Sequence, residues 1–158
     1  MIAMALSLKP SLLIADEPTT ALDVITQAQV LKLMRELINE VNASILLITH
    51  DMGVAAQVAD KVIVLYVGEI VEEAPVYELF KNPMHPYTIG LLNSIPRGHK
   101  INGRLSAIKG SIPDLRSEFR GCIFADRCDK VMDICHTMKP PYVEYNSNHL
   151  VRCFLYGK

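Results

Sequence analysis

Apolar residues fall in short, dense runs through the first part of the chain and in a looser, proline-broken pattern after it. Residues 11–15 and 44–49 are near-continuous apolar stretches, the pattern of parallel strands covered on both faces. Between them, residues 26–41 repeat at helical spacing. Val30, Leu33, Met34, Leu37, Ile38 and Val41 form one stripe, Lys32, Arg35, Glu36 and Glu40 stand opposite, and Asn42 closes the helix. Strand, helix and strand over this length predict a right-handed crossover and parallel neighbours. Residues 1–9 suit the last turns of a helix stopped by Pro10, as though Met1 were an internal methionine of something longer. A short helix is expected over 52–59. Residues 61–66 and 69–73 then alternate around Gly68, which predicts a hairpin at a sheet edge.

The pattern shifts near Pro75. Residues 75–96 are punctuated by proline and suit two short helices. Residues 97–120 carry Gly98, Gly103, Gly110 and Pro113 among scattered charges and suit an extended linker. Residues 121–158 hold all four cysteines. The expected organisation is an α/β core over 1–75, a Pro-rich helical extension and linker over 76–120, and a small irregular Cys-rich module over 121–158.

Composition narrows the classes. Half of the 158 residues are hydrophobic, so a core is easily buried, with apolar surface left over for a partner. The net charge of -1, without a run of Lys or Arg, points away from nucleic acid. No apolar stretch approaches the roughly 20 residues that a bilayer crossing takes. Residues 1–8 lack the basic lead-in and small-residue cleavage site of a leader and suit an ordinary helix end. The chain therefore reads as cytosolic, with membrane contact through a partner.

The chemistry concentrates in LLIADEPTTALD (12–23) and ILLITH (45–50). Asp16 and Glu17 stand at the carboxyl end of a predicted parallel strand, where open α/β sheets bind ligands. Successive strand residues point in opposite directions, so one carboxylate can face magnesium and the next an attacking water. Phosphoryl transfer demands mainly positioning and charge neutralisation, which such a pair supplies. His50 ends the neighbouring strand, within reach of a terminal phosphate. Asp23 lies in the turn before the long helix, where helix initiation is its plain role. No G-x-x-x-x-G-K-[ST] loop occurs, so the phosphate cradle is not among these residues.

These segments carry a family resemblance. LLIADEP resembles the Walker B segment of ABC-transporter ATPase subunits, ALD their D-loop, and ILLITHD their switch-histidine segment. MIAMALSLKP resembles the helix that follows the family's signature loop. The resemblance covers roughly residues 1–75 and implies a partial P-loop NTPase sheet binding ATP and Mg2+. It implies that Asp16 assists the metal, Glu17 is the general base, Asp23 acts across a nucleotide-bridged dimer, and His50 contacts the γ-phosphate. Without the phosphate and signature loops, these 158 residues alone are expected to show no measurable ATPase.

The remainder narrows the branch. NPMHPYTIGLLNSIP, RLSAIKGSIPDL, GCIFADRC and HLVRC are similar to the tail of dipeptide/oligopeptide importers, whose relatives also carry nickel or glutathione. The resemblance implies an ATP-binding subunit at the cytoplasmic face of the membrane. Its partners would be a second ATPase subunit, two transmembrane permease subunits and, indirectly, an extracellular or periplasmic peptide-binding protein. The rivals are a non-transport ABC ATPase and a stand-alone iron–sulfur or zinc regulatory protein on a truncated ATPase scaffold.

Cys122, Cys128, Cys135 and Cys153 follow C-x5-C-x6-C-x17-C spacing. A cytosolic setting disfavours disulfides. Zinc accepts four cysteines but usually takes tighter pairs. An iron–sulfur cluster tolerates irregular spacing, and four buried, unligated thiols remain the plain alternative. The family resemblance implies a [4Fe-4S] cluster. His136 and His149 are possible zinc substitutes and otherwise surface residues. Arg127 and Arg152, each beside a cysteine, are placed to offset thiolate charge.

Overall fold

The structure, a computed structural model, describes residues 2–95, 107–116, 118–146 and 148–157. The chain is α/β and divides into two compact units, Met1–Ala59 and Asp60–Lys158.

The first unit runs α1 (Ile2–Leu6), β1 (Leu12–Asp16), α2 (Val24–Val41), β2 (Ser44–Ile48) and α3 (Met52–Val58). β1 and β2 are parallel neighbours in register from Leu12 opposite Ser44 to Asp16 opposite Ile48, as the crossover rule requires. The α2 helix begins earlier than its apolar stripe because Asp23 caps it, accepting from the Ile25 and Thr26 amides. It ends where Asn42 turns left-handed, at φ 54°, and donates its N–H to the last carbonyls. Its buried face is Leu31, Met34 and Ile38, with Val30, Leu37 and Val41 partly covered. Leu33 does not belong to that face: it is 50% exposed, whereas Leu31 is buried. The stripe is centred on the 31–34–38 row, slightly rotated from the sequence reading.

Leu13 and Ala15 pack with Leu6, Met34 and Ile38 into this unit's core. Leu12 and Ile14 alternate with them and remain more than half exposed, as Leu46 and Ile48 nearly are. The expected cover on both faces is thus found on one only among the described residues, since a two-stranded sheet here carries one helical layer.

The second unit runs β3 (Lys61–Tyr66), β4 (Glu69–Pro75), α4 (Val76–Lys81), α5 (Pro86–Ser94), a 3-10 turn (Ala125–Arg127), α6 (Asp133–Thr137), β5 (Tyr142–Asn146) and β6 (His149–Arg152). β3 and β4 form the expected hairpin around Val67 and Gly68, both at positive φ, as a two-residue hairpin turn demands. The sheet order is β3-β4-β6-β5, antiparallel throughout. β6 pairs with β4 at Glu72–Val151 and Glu73–Leu150, so the Cys-rich segment shares one sheet with the hairpin. Among residues 97–120, those from 107 to 116 contain no helix or strand, and 96–106 lie outside the described residues. No helix among the described residues is long and apolar enough to cross a membrane.

Candidate functional site

β1 and β2 end side by side, and the chain turns sharply after each. Asp16 closes β1, exposed on the uncovered face. Glu17 follows at φ 46°, a left-handed conformation uncommon for a residue with a side chain. Its amide holds that turn by donating to Ile48 O across the strand pair at 2.9 Å. Backbone departures of this kind cluster at functional sites. The result aims the Glu17 carboxylate toward the end of β2, where His50 Nδ1 lies 2.6 Å from Glu17 Oε1.

The second carboxylate oxygen, Oε2, accepts from the Thr20 hydroxyl. Thr20 was not singled out in the sequence. The available signal was a hydroxyl three residues after a carboxylate, the spacing of a closed turn. The Thr20 hydrogen bond, followed by that of His50, holds the Glu17 carboxyl below its usual range. The same pairing raises His50 above the ordinary imidazole value, and Asp51 adds to the effect. The pair is solvent-accessible, with side chains 38% and 77% exposed for Glu17 and His50.

Asp23 stands apart from that contact. Its carboxylate accepts from the amides of Ile25 and Thr26 and from the Thr26 hydroxyl, which together depress its pKa, Thr26 most of all. In this chain its visible work is to start α2. Asp51 does the same for α3 through the amides of Gly53 and Val54.

In the second unit, Cys122, Cys128, Cys135 and Cys153 all line one enclosed space of about 10 Å³ together with His85, Phe124 and neighbouring apolar residues. That is room for about one water molecule. Burial raises the Cys122 and Cys128 thiols, and pushes Cys153 up to about 11. Cys122 N donates to Cys135 O at 2.7 Å, which fixes these two cysteines side by side. Among the described residues, no group of three or more Cys, His, Asp or Glu is arranged to hold a metal ion.

Two expectations are corrected here. His149 is not a surface residue: it is 2% exposed, with Nε2 2.8 Å from Glu72 Oε1. Glu72 also accepts from the amides of Met84 and His85, so three donors satisfy a fully buried carboxylate. His136 is exposed as expected. The two arginines are committed elsewhere. Arg127 donates to the carbonyls of Ile108 and Lys109 and to the Tyr66 hydroxyl. Arg152 bonds Glu69 and the Pro140 carbonyl and covers the Tyr142 ring. Their charges anchor loops and a sheet.

Residues 71–135 match the family described as oligopeptide/dipeptide transporter, C-terminal region. Over 99% of its length the chain is 57% identical to the oligopeptide transport ATP-binding protein AppD of Bacillus subtilis. Nearly the whole chain is thus similar to oligopeptide and dipeptide transport ATP-binding proteins. It is also 47% identical to the oligopeptide transport ATP-binding protein OppD of Salmonella typhimurium and 48% identical to the dipeptide transport ATP-binding protein DppD of Bacillus subtilis, over 98% of its length in each case. It spans about half the length of these curated relatives: 48% of AppD and 46% of OppD and DppD. The region matched by the transporter model runs from β4 into α6 and includes three of the four cysteines.

Proposed function

We propose that this chain carries the hydrolytic-base and switch-histidine part of an ATPase subunit that energises peptide uptake across the cytoplasmic membrane. One observation supports this most: Glu17 and His50, 33 residues apart in sequence, meet at 2.6 Å at the adjacent ends of two parallel strands. The relatives' names, oligopeptide and dipeptide transport ATP-binding proteins, give the substrate class.

In the proposed reaction an ionised Glu17 takes a proton from water while the water oxygen bonds to the terminal phosphorus, and ADP leaves with the electrons of the broken P–O bond. With Nδ1 turned to Glu17, His50 presents Nε2 to the other side of its ring. A neutral ring protonated at Nδ1 offers only a lone pair there, whereas the imidazolium offers an N–H to a phosphate oxygen. The raised pKa of His50 favours that second form. Asp16 fits the one-carboxylate mode in which Mg2+ is commonly held with substrate phosphates. Magnesium, when bound, supplies neutralisation of phosphate charge. Asp23 is proposed to act across a dimer of ATPase subunits besides capping α2.

The proposed setting is the cytoplasmic face of the membrane, beside a second ATPase subunit and two permease subunits, with a peptide-binding protein outside. The division into 1–75, 76–120 and 121–158 is retained as a functional one. The test is ATP hydrolysis by the full-length subunit in its assembled transporter. Glu17→Gln is expected to abolish it, and a rate that survives overturns the reading. The 158 residues alone are expected to show none.

We further propose that the four cysteines hold a [4Fe-4S] cluster that staples the tail. Their convergence on one space supports it. Zinc, held at about 2.3 Å by each sulfur, is the alternative occupant; the described residues show no ligand group arranged for either. The donor set fits a cluster; the free volume does not unless the thiols separate. Anaerobic reconstitution with iron and sulfide should give charge-transfer absorption that Cys153→Ser diminishes. A colourless, zinc-loaded protein from anaerobic purification refutes the cluster.

A further inference from the structure

We propose that Thr20 is the positioning residue of Glu17, clamping one carboxylate oxygen while His50 clamps the other. The inference rests on the hydrolytic reading above and adds a third member to it. Thr20 follows Glu17 in a turn closed by its own amide, which donates to Glu17 O at 3.3 Å. That backbone contact would suffice to shape the turn, leaving the hydroxyl free to face water. Instead Thr20 Oγ1 donates to Glu17 Oε2, and His50 Nδ1 meets Oε1.

The two contacts have different consequences. A carboxylate held by one oxygen can pivot about that bond; one held by both has a fixed plane. Its remaining lone pairs then point in set directions, as orientation of an attacking water requires. A β-branched threonine suits this task because few χ1 positions are open to it. The hydroxyl also favours the ionised carboxylate, the form that can accept a proton. The charged group facing Glu17 from the end of β2 is His50, which is itself beside Asp51; Thr20 is the neutral partner on Glu17's own turn.

The experiment is the pH profile of ATP hydrolysis by the full-length subunit in its assembled transporter. Thr20→Val, Thr20→Ser and Glu17→Gln are compared with the parent. Thr20→Val should lower kcat about tenfold, the order of one hydrogen bond to a charged group, with KM for ATP unchanged. The acid limb of its profile should move to higher pH, because Glu17 protonates more easily. Thr20→Ser should restore both. Should Thr20→Val fail to assemble, Thr20→Ala carries the same expectation. A Thr20→Val or Thr20→Ala profile that superimposes on the parent's, with Glu17→Gln inactive, overturns the role of Thr20 alone. Activity that persists in Glu17→Gln overturns the hydrolytic reading and this inference with it.

Discussion

Two glutamate–histidine pairs in this chain have nearly the same geometry and opposite surroundings. Glu17 and His50 meet at 2.6 Å with both side chains substantially in water. Glu72 and His149 meet at 2.8 Å with side chains 0% and 3% exposed. The first pair sits where two parallel strands stop, so nothing among the described residues buries it and its groups can exchange protons. The second joins β4 to β6 in the middle of an antiparallel sheet and is completed by two backbone amides. Identical side chains thus make an open, solvent-accessible contact in one unit and an architectural one in the other. Burial decides between them, because a buried carboxylate without donors is costly while an exposed one is solvated at no such penalty.

The largest expected effect attacks the buried pair. Glu72→Ala strands two amides and His149 inside the sheet, and should destabilise the second unit by about 3–5 kcal/mol. Hydrogen exchange at Ala74 and Val151, both fully buried, reads this directly. Protection equal to the parent's would show that the network is dispensable.

Next comes acid. Burial lowers His85 from 6.5 to about 4, so it folds neutral and must charge on unfolding below its ordinary pKa. Between pH 6.5 and 4 the unfolded chain binds the extra proton. Stability is therefore complete above this window and lost as pH falls through it, by on the order of 3 kcal/mol. Urea unfolding of the second unit across that range checks the sign. His85→Gln should flatten the dependence.

Gly121→Ala probes packing beside the cysteines. A Cβ there would collide with the backbone oxygen of Cys135 and with the His136 backbone, so α6 must shift. A cost of about 1–3 kcal/mol is expected, read as a lower unfolding midpoint of the second unit.

The smallest effect on stability belongs to the exposed pair. Glu17→Gln should leave the unfolding midpoint unchanged, yet His50 should lose its elevated pKa in NMR titration. The parent's His50 stays protonated above the ordinary imidazole range, and the Glu17 attraction disappears as pH rises through that raised value. An unmoved His50 would mean that the 2.6 Å contact is not formed in solution.

The comparison also shows what could be read before the fold was known. Glu17 and His50 announce themselves because each ends an apolar run, and strand ends of parallel sheets meet on one edge. Their separation follows from a period and a crossover rule. Thr20 was harder: its hydroxyl direction depends on the left-handed turn at Glu17, which no residue type there requires. Glu72 was harder still. In VEEAP two adjacent glutamates occupy one strand, and alternation sends them to opposite faces without saying which face is covered. β6 settles that by pairing with β4 from nearly 80 residues away.

The amino-acid order by itself determined the α/β alternation, the helix between two parallel strands, the hairpin turn and the meeting of a carboxylate and a histidine at adjacent strand ends. Those features depend on periodicity, capping and turn geometry within a few residues of each position. Only the tertiary structure decided that the Cys-rich tail joins the hairpin's sheet, that His149 lies inside, and that four distant thiols line one space. Such pairings are long-range: local propensity leaves many partners for an edge strand, and mutual burial selects among them.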